Sequence, residues 1–84
     1  MDIGVEISLY PLDADFIPPI QGFIDRLQLE PRVRVVTNSM STQVFGRYDD
    51  VMALLTRELR ATFASEPKAV FVMKVLGPLQ AADR

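Results

Sequence analysis

The stretch GVEISLYPL, residues 4–12, is the most regular segment of the 84-residue sequence. Its odd positions from 5 to 9 are aliphatic, whereas its even positions from 6 to 10 are Glu6, Ser8 and Tyr10. A period of two predicts a β-strand with one buried face. Pro11 cannot donate to a sheet ladder and therefore ends the predicted strand. The other face of this strand carries an acid, a hydroxyl and a phenol, and the rest of the chain must account for them.

A helix is predicted after the short connection LDAD. Asp13 or Asp15 is suited to cap it, and Pro18 and Pro19 fit its first turn, where backbone N–H groups have no intrahelical partner. Apolar residues then recur at the spacing of one helix face: Ile20, Phe23, Ile24 and Leu27. This amphipathic pattern predicts a helix that runs to about Leu29.

A second and longer helix is predicted for RYDDVMALLTRELRATFASEP, residues 47–67. Asp49 and Asp50 at its start are interpreted as a cap and not as metal ligands, and their charge suits the positive end of the helix dipole. Pro67 ends the helix. Five apolar side chains at helical spacing form its predicted buried stripe: Val51, Leu54, Leu55, Leu59 and Phe63.

Three more strands complete the predicted order. Residues 32–40 and 42–46 lie close enough in sequence to form a hairpin, and residues 68–76 form the last strand. The order β-α-β-β-α-β predicts an α+β, ferredoxin-like fold, in which a four-stranded antiparallel sheet carries both helices on one face. Right-handed crossovers place the first strand between the third and the fourth.

Size and composition limit the class of protein. Hydrophobic residues make up 49% of the chain, which predicts one folded domain over residues 1–78, followed by a loose tail over 79–84. No apolar run is long enough to cross a membrane, and no secretion signal is apparent, so a cytoplasmic protein without membrane insertion is expected. Cys and His are absent. Neither a metal site nor a catalytic activity is therefore expected, because the usual zinc ligands and the commonest general base are missing.

The charge balance also bears on the partners. The net charge is -2, and the pI is about 4.9. The basic residues are scattered along the sequence, whereas a nucleic-acid-binding protein usually carries a basic stripe, so no nucleic-acid partner is expected. A neutral or cationic small ligand is easier to reconcile with this balance.

The sheet face without helices is predicted to be unusually apolar. Strand alternation directs four apolar side chains to it: Tyr10, Phe45, Val70 and Val72. Lys74 points outward beside them, whereas Phe71, Met73 and Val75 are assigned to the helix side. Monomers rarely expose such a patch, so we expect a homodimer or higher oligomer with sheets packed face to face. An aromatic wall with a few polar groups is also typical of a small-molecule site.

The segments ISLYPL, TNSMST, VFG and DDV, in this order, resemble the YkoF-related family of thiamin- and hydroxymethylpyrimidine-binding proteins. The similarity runs from about Ile3 to Val75. It implies paired βαββαβ units that bind thiamin or its pyrimidine precursor without catalysis, in association with a transporter or another partner of the thiamin pathway. YkoF-type members carry two units in tandem and tend to have an acid in the hairpin. This chain has one unit, with Asn38 and Ser39 in the hairpin, so a second subunit would supply the other half.

The ligand strand of that family matches Glu6, Ser8 and Tyr10 here, and its hairpin matches Thr37–Thr42. A carboxylate can accept from the amino group of a pyrimidine, hydroxyl and amide groups can donate or accept, and aromatic rings can stack on the ring or attract a thiazolium. The predicted ligand contacts are Glu6, Ser8, Tyr10, Asn38, Thr42 and Phe45. Thiamin or hydroxymethylpyrimidine is thus expected as a ligand, and no cofactor.

Structural interpretations of the same residues stay open. Glu6 can pair with Lys74 on the neighbouring strand, and Ser8 can be a small residue at a tight interface. Asn38 and Ser39 can serve as turn formers that bond their own backbone. The alternative function is a structural or regulatory self-association domain without a ligand.

Overall fold

The structure is a computed structural model, and it describes residues 1–80 of the chain. Its elements in chain order are β1 (Asp2–Pro11), α1 (Ile17–Gln28), β2 (Val33–Thr37), β3 (Thr42–Arg47), α2 (Tyr48–Ser65) and β4 (Ala69–Leu76). The predicted α+β class and element order are confirmed. Strand β1 continues through Pro11, which the sequence pattern had placed just after the strand.

The four strands form one antiparallel sheet in the order β2-β3-β1-β4, with β1 between β3 and β4 as predicted. Ile7 lies opposite Met73, and Leu9 lies opposite Phe71. Ile7 and Leu9 are buried under the helices, and directly opposed residues share a face, so Phe71, Met73 and Val75 lie on the helix side, as predicted. The helices leave this edge of the sheet partly uncovered, and Val75 is 56% exposed.

The core lies between the sheet and the two helices. The aliphatic row of β1 supplies its centre, because β1 has a neighbouring strand on both sides and both helices above it. The buried apolar side chains of the described residues are Ile3, Val5, Ile7, Leu9, Phe23, Leu27, Val44, Val51, Leu54 and Leu55. The even residues of β1 therefore all face the side of the sheet without helices, which we call the open face.

The start of α1 differs from the prediction. Neither Asp13 nor Asp15 caps the helix: the N-cap residue is Phe16, and it makes no side-chain cap hydrogen bond. The reason lies in Pro18 and Pro19, which occupy the first turn as predicted. Proline has no backbone N–H, so neither residue can donate the hydrogen bond that a cap side chain accepts. The Asp13 carboxylate instead accepts from the backbone N–H of Asp15 at 3.1 Å, which folds the connecting turn.

Helix α2 departs from its predicted cap and stripe. Asp49 and Asp50 lie in the first turn, where their charge suits the helix dipole, but the N-cap residue is Arg47 and no side chain caps the helix. The backbone N–H of Tyr48 is satisfied by the carbonyl of Met1 at 2.9 Å. The cap prediction is therefore wrong for both aspartates, because they are the second and third residues of the helix and not the residue that precedes it.

Phe63 is the member of the predicted α2 stripe that lies outside the core, at 53% exposed. Its ring packs edge-on against Phe71 of β4, with centroids 5.5 Å apart. Glu58 and Thr62 are buried in the part of α2 that faces α1. The buried face of α2 is thus partly polar, because α1 presents Arg26 to it.

Arg26 joins the two helices. Its Nε donates to a Glu58 carboxylate oxygen at 2.6 Å, and its Nη2 donates to the Thr62 hydroxyl at 3.1 Å. Arg57 donates to the second Glu58 oxygen at 3.0 Å. Burial raises the pKa of Glu58, but the hydrogen bonds and charges of Arg26 and Arg57 outweigh it, so the pKa lies below its ordinary value. The carboxylate is therefore ionised near neutral pH, and each of its two oxygens accepts a hydrogen bond from an arginine.

The chain after β4 remains attached to β1 as far as Leu79, whose N–H donates to the carbonyl of Asp2 at 2.8 Å. Leu79 is the first residue of the predicted loose tail. Residues 81–84 of that predicted tail lie outside the described residues. Within residues 1–80, neither helix has the length and apolar character needed to span a bilayer.

Candidate ligand-binding site

A cleft opens where β1 extends beyond β3. Strand β1 pairs with β3 only as far as Ile7, opposite Thr42, but with β4 as far as Pro11, opposite Ala69. Residues 8–10 therefore have a neighbouring strand on one side only. In a strand, the N–H and C=O groups of one residue point to the same side, and those of the next residue point to the opposite side. At least one of residues 8–10 thus presents a donor and an acceptor toward the cleft, where β3 supplies no partner.

The cleft has an apolar floor and a polar rim. Ile20 and Ile24 of α1 and Leu9 of β1 form the apolar part of its lining. The opposite wall is the β2–β3 loop with its flanking residues, Thr37–Thr42, which is rich in hydroxyl and amide groups. The cleft encloses about 280 Å³. That volume is near the lower limit of small-molecule sites and suits one heteroaromatic ring better than a long ligand.

Asn38 organises the loop that forms this wall. Its side-chain carbonyl accepts from the backbone N–H of Met40 at 2.8 Å and of Ser41 at 3.1 Å, and its own N–H donates to the Ser41 carbonyl at 3.1 Å. Asn38 is therefore a turn former, as one of its two interpretations held. Its side-chain NH₂ is not used by these bonds and is exposed at the rim of the cleft. The loop is thus preordered, with a donor group left for a ligand.

Thr42 lies at the base of the cleft and not on the open face. It is directly opposite Ile7, and it is buried on the helix side. Its hydroxyl lies 3.1 Å from the hydroxyl of Thr37, so the two hydroxyl groups share one hydrogen bond. A ligand can reach Thr42 only through the cleft, and the contact would use the remaining lone pair of the hydroxyl.

Glu6 ties the loop to the open face. One carboxylate oxygen accepts from the Ser41 hydroxyl at 3.1 Å, and the other lies 3.9 Å from Lys74 Nζ. The Lys74 side chain is 83% exposed, so this pair contributes little stability. Glu6 lies beside the cleft and not in its lining. Its position indicates that it orients Ser41 and adds negative charge at the open-face side.

Ser8 and Tyr10 lie where the cleft meets the open face. Tyr10 is 55% exposed and lies opposite Val70, and Ser8 lies opposite Val72. Val70 and Val72 are themselves about half exposed, at 44% and 54%. Tyr10, Val70 and Val72 thus form an apolar patch that contains three of the four predicted members, with Ser8 as its polar member.

Phe45 lies far from Tyr10. It is directly opposite Gly4, six residues before Tyr10, which corresponds to about 20 Å along β1. Its ring lies against the backbone of Gly4, where a Cβ atom would come within 2.9 Å of it, and the guanidinium of Arg34 lies 4.5 Å above the ring centroid. The ring thus contacts residues of both neighbouring strands, Gly4 of β1 and Arg34 of β2. A single small ligand cannot contact Phe45 and Tyr10 of the same protomer.

The structure brings four of the six predicted contacts into one cleft: Ser8, Tyr10, Asn38 and Thr42. Glu6 adjoins the cleft through Ser41, and Phe45 lies apart from it. Sequence reasoning missed the apolar floor. Ile20 and Ile24 have the helical spacing of core residues, but they are only half-buried, and this partial exposure is not visible in the sequence.

The chemistry of the cleft is that of hydrogen bonding and apolar contact. Tyr10 is the one titratable side chain among the described residues that line it. Within residues 1–80, no cluster of three or more potential metal ligands occurs. The cleft can therefore hold a ring that has alternating donors and acceptors on one edge.

Comparison with solved structures supports the fold. The chain is similar to protein SP2199 from Streptococcus pneumoniae, with a TM-score of 0.85, 23% identity, and coverage of 99% of this chain and 94% of that one. It is also similar to hypothetical protein MJ1052 from Methanocaldococcus jannascii, with a TM-score of 0.81, 18% identity, and coverage of 99% and 87%.

A third similar structure is that of TM0486 from Thermotoga maritima, a candidate thiamine biosynthesis or salvage protein. The TM-score is 0.69, the identity is 16%, and the coverage is 100% of this chain and 89% of that one. A comparison with curated protein sequences found no match. The model of the YKOF-related family matches residues 2–75. This match extends over all six elements, and the chain belongs to the YKOF-related family.

Proposed function

We propose that this protein binds thiamin or its hydroxymethylpyrimidine precursor, without catalysis, in the cleft between β1 and the β2–β3 loop. Membership of the YKOF-related family and the similarity to a candidate thiamine salvage protein support the class of ligand. The observation that carries the proposal is the interrupted β1–β3 pairing, which leaves the backbone donor and acceptor of at least one of residues 8–10 beside an apolar floor.

An aminopyrimidine ring complements this cleft. One edge of the ring presents an amino donor next to a ring-nitrogen acceptor, and a strand residue offers the matching C=O and N–H. The faces of the ring would contact Ile20 and Ile24, and the Asn38 amide and the Ser41 hydroxyl would lie at its rim. The binding energy would then come from a few hydrogen bonds and the burial of one ring.

In this proposal the pyrimidine ring of thiamin lies in the cleft and its thiazolium lies outside it. The thiazolium would extend from the cleft onto the open face, toward Tyr10 and Glu6. An aromatic ring attracts such a cation, and the Glu6 carboxylate adds negative charge on the same face. This arrangement explains how one cleft could accept either the precursor or the whole vitamin.

A second copy of the chain is proposed to cover the open face. Tyr10, Val70 and Val72 form a contiguous, half-exposed apolar patch, and patches of this kind on soluble domains mark interaction sites. Packing the sheets face to face would bury the patch and close the outer side of the cleft. The partner would thus take the place that the second unit holds in tandem members of the family.

In this proposal the protein acts in the cytoplasm and has no substrate, cofactor or nucleic-acid partner. Its role is to hold the vitamin or its precursor and to pass it to a transporter or to an enzyme of the thiamin pathway. The absence of His and Cys from the sequence and the single titratable group in the described cleft lining support binding without chemistry.

Titration calorimetry with thiamin and with hydroxymethylpyrimidine tests this function. Tyr10→Ala and Tyr48→Ala form a matched pair, because both tyrosines are exposed, at 55% and 46%, and Tyr48 lies outside the cleft. Loss of one aromatic contact should weaken binding by about 2- to 12-fold in Tyr10→Ala, the equivalent of about 0.5–1.5 kcal/mol, and not in Tyr48→Ala. Absence of heat with either compound, or equal weakening in both variants, contradicts the proposal.

A self-association domain without a ligand is the second candidate, and the exposed apolar patch is the observation that favours it. Light scattering separates the two candidates when it is combined with the titrations. An oligomer that binds neither compound supports self-association alone. A protein that stays near the 9.4 kDa of one chain at micromolar concentration contradicts both the covering subunit and this alternative.

A further inference from the structure

Three arginines that are scattered in the sequence converge at the end of the sheet farthest from the cleft. The register places Arg34 of β2 opposite Phe45, and Val33 opposite Gly46 of β3. Since Arg34 and Phe45 lie on the open face, alternation along β3 puts Arg47 on that face as well. Arg32 lies in the turn just before β2 and lines the same cavity as Arg34 and Arg47. We call this group the arginine corner.

We propose that the arginine corner is a second binding site, separate from the cleft, which takes a phosphate or diphosphate group. The three arginines line one cavity of about 380 Å³, together with Asp2, Phe45 and the start of β2. Because β2 is an outer strand, the cavity opens at the edge of the sheet. A second copy packed on the centre of the open face would leave this edge at the rim of the interface.

Arg34 is held in place for such a role. Its guanidinium lies over the Phe45 ring at 4.5 Å, and Phe45 is fixed in turn by its close approach to Gly4. A guanidinium held over an aromatic ring keeps N–H groups that can bind an oxyanion in a bidentate manner. Among the described residues, Arg34 has no carboxylate partner.

The charges at the corner are incompletely neutralised. Asp2 lies opposite Arg47 in the sheet and supplies one compensating carboxylate. Glu30 Oε1 lies 3.8 Å from Arg32 Nε, but the other oxygen of Glu30 lies 3.7 Å from Arg57 Nη2, so this carboxylate is shared between two arginines. The corner therefore carries net positive charge in a protein whose net charge is -2. A doubly charged phosphate would balance it better than a carboxylate would.

The arginine corner and the cleft of one protomer are too far apart to be occupied by one small ligand. Phe45 and Gly4 mark one end of the sheet, and Tyr10 lies about 20 Å further along β1. A thiamin molecule bound in the cleft of one protomer therefore cannot place a phosphate on the arginines of the same protomer. The anion is either a free phosphate species or the phosphorylated end of a second molecule.

Titration calorimetry with pyrophosphate, repeated with thiamin diphosphate, tests the site. Arg34→Gln should weaken pyrophosphate binding by about tenfold or more, as expected for the loss of charge-assisted hydrogen bonds. Arg60→Gln is the matched control, because Arg60 is exposed on α2 and lies outside the cavity. Thiamin binding by Arg34→Gln should equal that of the unaltered protein, so failure of this site can be distinguished from failure of the cleft.

The two ligands distinguish the sources of the phosphate. If Arg34→Gln weakens the binding of both, the site accepts a phosphorylated form of the vitamin; if it weakens only pyrophosphate binding, the site takes free phosphate species. Either result supports the arginine corner. No heat from the unaltered protein with pyrophosphate, or an equal loss of affinity in Arg60→Gln, overturns it, because the second result would reflect net charge and not a site.

Discussion

Replacing Glu58 by Gln should destabilise the protein by removing the charge that joins the two helices. The Glu58 carboxylate is 7% exposed and accepts from Arg26 at 2.6 Å and from Arg57 at 3.0 Å. Fully buried bonds of this type contribute about 1.5–3 kcal/mol each. The arginine side chains are 39% and 59% exposed, so solvent screening reduces the expected total to about 1–2 kcal/mol. For a domain of this size, the melting temperature should fall by roughly 5–15 °C.

The effect of Glu58→Gln should depend on pH in a defined direction. The folded state lowers the pKa of Glu58, because hydrogen bonds from two arginines outweigh its burial. The carboxylate therefore contributes its full stability above the pKa of an unfolded glutamate, about 4.3, and loses it as the pH falls through the lower folded pKa. The difference in unfolding free energy between the unaltered protein and the variant should be largest near neutral pH and should shrink in acid.

Urea unfolding followed by circular dichroism, at about pH 7 and again at about pH 2, measures this difference. Glu66→Gln serves as the control, because the Glu66 side chain makes no ion pair among the described residues. Equal stability of Glu58→Gln and the unaltered protein at neutral pH would refute the reasoning. A difference that stays constant down to the acid end would refute the assigned role of the charge.

Further expected outcomes concern the glycines and the polar groups of β1. Gly4→Ala should cost about 1–3 kcal/mol, because its Cβ would come within 2.9 Å of the Phe45 ring, whereas Gly22→Ala on α1 should stabilise by about 0.5–1 kcal/mol; thermal unfolding of both tests this, and equal effects would contradict it. Glu6→Gln should weaken thiamin binding more than Lys74→Gln does, since Glu6 also holds the loop; unchanged affinity by calorimetry would leave Glu6 as a partner of Lys74 only.

The sheet order could be predicted because its signals are local and consistent. The period of two in residues 4–10 identifies β1, and two amphipathic helices between strands leave few ways to assemble the sheet. The prediction that Phe71 of β4 faces the helices is also confirmed, although both faces of β4 are apolar. The register of β1 with β4 places Phe71 opposite the buried Leu9.

The details that could not be predicted depend on neighbours distant in the sequence. The position of Glu58 in the buried face of α2 requires Arg26, which lies on another helix. The missing cap of α1 reflects Pro18 and Pro19, and the first N–H of α2 is satisfied by the carbonyl of Met1. These partners become neighbours only through the packing of the elements.

The candidate site was predicted in part for the same reason. Alternation correctly placed Tyr10 and Phe45 on one face, but only the register shows that they lie about 20 Å apart. The cleft itself arises because β3 begins at Thr42, opposite Ile7, whereas β1 continues to Pro11. The lengths of paired strands, and therefore the gap between them, are not encoded in any local pattern.

Chemical-shift mapping of the ¹⁵N-labelled protein with hydroxymethylpyrimidine is the most direct test of the proposed cleft. The precursor is small enough to lie wholly in the cleft, so the account predicts amide shifts in residues 8–10, 20–24 and 37–42 that saturate together with one dissociation constant. The amides of residues 32–34 and 45–47, at the arginine corner, should stay unchanged. Shifts confined to the corner, or no shifts at all from the folded protein at millimolar ligand, would contradict the account.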